Sequence, residues 1–150
     1  MQRSLSYKIS LVPIILLPLF VFYESLSSIY LLMPPLLGVL FHFFIKSKES
    51  ENFKLLISII IMLIIFEAEK GYLFLSTLFY FTLLYQFIIP TLKKNIVCKS
   101  CLNLLFMILA YGGYYLFALL MSHIFLLEAP NIDYYVIYYV LLEFFVVSLI

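Results

Sequence analysis

Leu55-Leu56-Ile57-Ser58-Ile59-Ile60-Ile61-Met62-Leu63-Ile64-Ile65-Phe66 carries a single polar side chain, Ser58, across three turns' worth of chain. A strand of a membrane barrel would alternate apolar and polar residues over about ten positions, and this run does not. Its isoleucines would suggest a buried strand in a water-soluble chain, but the composition around it points elsewhere. The chain has 150 residues, 66% of them hydrophobic and 11% charged. Soluble domains are about half apolar and a quarter charged, and a core of this size cannot hide such an excess. Lipid is the environment that accepts it. Backbone groups in hydrocarbon must be satisfied internally, which leaves helices or closed barrels. The run is therefore read as a helix, and the fold class as an all-α integral membrane protein.

Outward from this run, charge and turn residues divide the chain into about six apolar stretches, at 9–23, 29–45, 53–66, 72–89, 100–127 and 134–150. They are expected to form a compact bundle of transmembrane helices, one polytopic domain over 1–150. Glu24 to Ser28, Lys46 to Lys54, Glu67 to Gly71, Thr91 to Lys99 and Glu128 to Asp133 are read as the connectors, with Pro90 ending the fourth stretch. The third stretch is the weak member, because a comfortable span needs about 20 residues. Lys54 snorkelling extends it, and a re-entrant hairpin is the rival. Arg3 and Lys8 before an apolar run imitate a secretory signal, yet no small-residue cleavage site follows Tyr23, so the segment is expected to be retained.

Basic residues in short loops stay on the cytoplasmic side. Arg3, Lys8, Lys46, Lys48, Lys54, Lys93, Lys94 and Lys99 fall on one face of a six-span arrangement, and only Lys70 on the other, beside Glu24, Glu67, Glu69, Glu128 and Asp133. This alternation places both termini in the cytoplasm. A formal net charge of +1 gives no field that would attract nucleic acid or an acidic substrate.

Polar residues within the apolar stretches are the candidates for function, because lipid makes them costly. Glu143 lies near the middle of the sixth stretch and is expected to be paired, with Tyr111, Tyr114, Tyr115 or His123 of the fifth as donors. An interhelical hydrogen bond is favoured there over a proton relay. Glu67 stands at the outer end of the third stretch. Either it makes a functional contact or it belongs to a solvated turn in which Glu67 or Glu69 pairs with Lys70 and Gly71 permits the reversal. Ala110, Gly112, Gly113 and Ala118 would make a small-residue face for close helix approach. Pro13, Pro18, Pro34 and Pro35 would kink spans. Tyr72, Tyr134, Tyr135, Tyr138 and Tyr139 fit an interfacial aromatic belt.

Cys98 and Cys101 form a CxxC without the βαβ context of a redox motif and without the second pair of a zinc site, so two reduced cysteines are expected. His42 is read as reaching headgroups or water. No phosphate-binding loop, HExxH helix or nucleophile elbow occurs. The chain is therefore expected to have no catalytic residue, cofactor or metal, and Glu67, Lys70, Gly71, Gly112, Gly113 and Glu143 remain as candidate partner or structural polar sites.

An acidic residue followed four positions later by glycine at the junction of the third and fourth stretches, Glu67 and Gly71, then an apolar helix and the basic Lys93-Lys94, resembles the rod-shape-determining MreD family. That family more often has Asp at the acidic position and a small residue soon after the glycine, where this chain has Tyr72, Leu73 and Phe74. The resemblance implies a non-enzymatic scaffold of the bacterial inner membrane, supporting cell shape and peptidoglycan elongation. It also implies binding to MreC and action beside the polymerase RodA and its transpeptidase. The six-helix substrate-binding subunits of vitamin transporters are thought to share the family's fold, which makes a small-solute transport component the alternative.

Overall fold

The structure, a computed structural model, describes the backbone of residues 2–126, 128 and 134–150, and side chains from Ile15 onward within that set. The expected turn over Glu128 to Asp133 lies largely outside the described residues, as do the side chains of Arg3, Lys8 and Pro13. Among the described residues there are six helices and no strand: α1 (Gln2–Ile29), α2 (Leu37–Glu49), α3 (Phe53–Lys70), α4 (76–95), α5 (Lys99–Phe125) and α6 (Tyr135–Leu149). Of these, α5 is long and apolar enough by itself to cross a membrane, while Ile15–Ile29 and Tyr135–Leu149 are shorter apolar helices.

Several expected boundaries move, each for a local reason. Glu24 to Ser28 is not a connector: α1 continues to Ile29. The helical period turns Glu24 and Ser27 inward, where both are buried, and leaves Ser25 and Ser28 on the outside. Pro34 and Pro35 consequently lie in the true connector ahead of α2 and kink no helix. The third stretch is longer than it looked. Its helix runs unbroken for 18 residues through Glu67 and Glu69 to Lys70, which leaves no hairpin within it. The fourth helix begins at Ser76 and not at Tyr72.

Pro90 does not end that helix. A π turn at Leu84–Ile88 precedes it, and helical structure resumes over Ile89–Asn95. Proline lacks an N–H and its ring crowds the carbonyl four residues earlier. A wider turn at that point gives the ring room.

The short α2 is the hub. It packs against α3, α5 and α6, while α1 lies along α3 and α4 meets both α3 and α5. Phe41, Phe44, Phe81, Leu63 and Met107 are almost wholly buried there. The Phe41 and Phe81 rings approach to 4.7 Å in a tilted contact, of the kind that adds to simple area burial. Gly38 sets how closely α5 and α6 approach α2: a Cβ there would stand 2.3 Å from Met107 Sδ and 2.8 Å from Glu143 Oε2. Outside, the surface is strongly apolar, with Phe22, Ile29, Phe74, Phe87, Leu116 and Ile137 all exposed.

Candidate functional site

Two of the helices begin at leucines. The N-cap residues of α2 and of α4 are Leu36 and Leu75, whose side chains cannot accept a hydrogen bond from the first turn. Both leucines hold left-handed backbone, with φ of 54° and 65°, a conformation costing about 1–2 kcal/mol for an L-residue. Something outside each helix must satisfy its first N–H groups.

Glutamates from other helices do so. Glu143, fully buried on α6, accepts from the Val39 N–H at 3.0 Å through Oε2 and from the Tyr111 hydroxyl through Oε1. Glu67, near the end of α3, accepts from the Leu75 and Thr77 N–H groups at 2.6 Å each and from the Ser76 hydroxyl at 3.4 Å. A carboxylate at a helix amino end meets both its unpaired donors and the positive end of its dipole. The two anomalous acids of the sequence thus perform one task twice. Of the donors expected for Glu143, Tyr111 is the one in place. Tyr114 instead joins Thr77 and Ser76 at 3.2 and 3.3 Å, and His123 is exposed.

Gly71 takes φ 70° at the C-cap of α3 and lets the Tyr72 N–H return to the Glu67 carbonyl at 3.0 Å. The chain then reverses quickly enough for the Glu67 side chain to reach α4. Lys70 does not pair with Glu67 or Glu69 as expected; its Nζ lies 3.9 Å from Glu24 of α1.

The anticipated small-residue face resolves into different functions for its members. A second π turn, Leu109–Gly113, interrupts α5. Such a turn displaces the backbone hydrogen-bond register, and the Tyr80 hydroxyl donates to the Leu109 carbonyl at 2.7 Å. Gly113 makes room for it, since a Cβ there would lie 2.0 Å from Tyr80 Oη, whereas Gly112 has nothing within 4 Å. Gly113 therefore receives a side chain and not a helix. Sequence reasoning missed Gly38, Tyr80, Glu24 and Ser27; a glycine three residues after Pro35 and the Gly112-Gly113 pair were the available signals.

At the opposite end of the molecule Lys93 of α4 pairs with Glu49 of α2. Cys98 caps α5, accepting from the Cys101 N–H at 3.5 Å and the Cys101 thiol at 2.9 Å. These bonds lower the Cys98 pKa. Among the described residues no three His, Cys, Asp or Glu side chains gather as a metal site.

Between α1, α3, α5, α6 and the connector before α2 lies a cavity of about 380 Å³. Ser27, Lys70 and a set of tyrosines line it. No protein-family model, curated protein or solved structure matches the chain.

Proposed function

We propose that the chain is a non-enzymatic membrane scaffold: six membrane-spanning helices with both termini in the cytoplasm, acting in bacterial cell-shape maintenance and wall elongation as the likeness to MreD suggests. One observation carries this reading. Of the three buried glutamates among the described residues, Glu67 and Glu143, the two anomalous acids of the sequence, are occupied in joining helix ends, so their polar chemistry is spent on architecture. The Glu67-to-Gly71 segment, on which the likeness rests, is one of those joints. The exposed apolar surface supports a lipid setting, and the lysine pattern supports the orientation.

The test is depletion in the native bacterium together with affinity purification from its membranes. Rounded cells and co-purification of membrane-anchored wall-synthesis partners (MreC, RodA and its transpeptidase) are expected. Normal shape and an absence of such partners would overturn the reading. A second reading, a small-solute transport subunit, is favoured by the cavity. It requires uptake of a solute that fails when the cavity is filled by Ser27→Phe.

A further inference from the structure

The end of the molecule that holds the Lys93–Glu49 pair gathers positive charge. Lys46 of α2, Lys93 of α4 and Lys99 of α5 line one pocket of about 490 Å³. Among the described residues Glu49 is its one acidic side chain, and Lys93 already pairs with it. Lys46 and Lys99 make no ion pair among the described residues. Three ammonium groups therefore face one side-chain carboxylate, and a main-chain carboxylate at Ile150 would still leave the pocket positive. Like charges held together repel, and an anion between them removes that repulsion. Lys99 and Ser100 are also the first two residues of α5, whose amino end favours negative charge. The Ser100 and Asn103 side chains add neutral donors.

Beneath the lysines the pocket is apolar, with Phe106 and Val147 buried in its wall. Two exposed stripes lead away from it toward the middle of the bundle, Leu104 and Ile108 on α5 and Leu149, Phe145 and Leu141 on α6, each at helical i, i+4 spacing. A soluble anion would use the charge and leave the stripes bare, whereas an anion carried on hydrocarbon chains uses both. We infer that this pocket binds the headgroup of an anionic phospholipid, its phosphodiester held by Lys46 and Lys99 and its acyl chains lying along the stripes. Basic pockets between helices at the cytoplasmic surface suit such headgroups, and the lysine pattern favours that side for this end of the bundle. The volume falls within the range of about 300–1,000 Å³ typical of ligand sites. The inference rests on the membrane reading above, with this face cytoplasmic, and not on the likeness to wall-elongation proteins.

The test uses the full chain in detergent micelles and in vesicles. In micelles, native mass spectrometry follows retention of phosphatidylglycerol against phosphatidylcholine, and calorimetric titration with glycerol phosphate supplies the soluble probe. Saturable retention of phosphatidylglycerol in preference to phosphatidylcholine is expected, with glycerol phosphate binding far more weakly. Lys46→Gln with Lys99→Gln should weaken retention by about tenfold or more, as loss of two lysine charges beside a lipid phosphate requires. Lys48→Gln with Lys94→Gln removes the same charge outside the pocket and should leave retention unchanged, both double variants staying folded by circular dichroism. Equal loss in the two double variants, or no preference for the anionic lipid, overturns the inference. Glycerol phosphate binding as tightly as the lipid overturns the lipid as occupant. In phosphatidylcholine vesicles, a chain stripped off by alkaline carbonate loses the membrane reading and this inference together, whereas a chain that stays inserted without lipid preference loses this inference alone.

Discussion

Truncating Glu143 to Ala tests the idea that α6 completes the amino end of α2. The substitution leaves the Val39 N–H and the Tyr111 hydroxyl without their acceptor inside a packed interior. An orphaned buried donor costs about 1–3 kcal/mol, so the pair should cost about 2–6 kcal/mol. That is a large part of the roughly 5–15 kcal/mol by which ordinary domains are stable. Glu143→Gln keeps one acceptor oxygen and should lose about half as much. The assay is reversible unfolding in mixed micelles, followed by far-ultraviolet circular dichroism, with Tyr111→Phe completing a double-mutant cycle. Coupling of about 0.6–1.7 kcal/mol is expected from hydrogen bonds between membrane helices. Additivity of Glu143→Ala and Tyr111→Phe within about 0.5 kcal/mol would refute the interaction, and an alanine cost below about 1 kcal/mol would refute the cap.

The corresponding change in α3, Glu67→Ala, should cost about 2–6 kcal/mol by the same count of stranded N–H groups, and limited proteolysis should then cut first between Tyr72 and Ser76. Gly113→Ala should destabilise by about 1–3 kcal/mol through the clash with Tyr80, with partial recovery in a Gly113→Ala, Tyr80→Phe double variant. Gly112→Ala, facing open space, should be neutral or slightly stabilising; equal effects at the two glycines would contradict the assignment. As pH rises, Cys98 should be alkylated earlier than an ordinary cysteine, because the hydrogen bonds from Cys101 let its thiolate form at a lower pH. Mass spectrometry of the intact chain reads the extent at each pH, and Cys101→Ala, which removes the thiol donor and keeps the backbone one, should move Cys98 part of the way back toward ordinary behaviour. Maleimides that cannot cross the membrane should reach Cys98 only after the cytoplasmic side is opened.

Much of the helical plan was legible because lipid-compatible runs announce themselves by composition, and Gly71 and the Glu143–Tyr111 pair could be anticipated from residue chemistry. The misreadings share one cause. Glu24-Ser25-Leu26-Ser27-Ser28 looks like a polar loop when residues are counted along the chain, but a helix sorts the same residues by face and hides two of them. The reverse happened at Pro34-Pro35, where an apolar surround concealed the break. Caps supplied from distant helices leave no local mark either. Leu36 and Leu75 are poor cap residues by any neighbourhood rule, and their conformation follows only from the glutamates that arrive from elsewhere. The cavity depends on five segments at once, which is why its polar wall was invisible in the sequence.

The bond between Glu143 and the Val39 N–H spans 104 residues of chain. During synthesis α2 leaves the ribosome long before its acceptor exists, so its first turn must wait, frayed or held by the insertion machinery, until α6 is made. The helix that carries Glu143 would then act as a latch, and a chain stopped short of Glu143 would present an unfinished bundle to quality-control proteases.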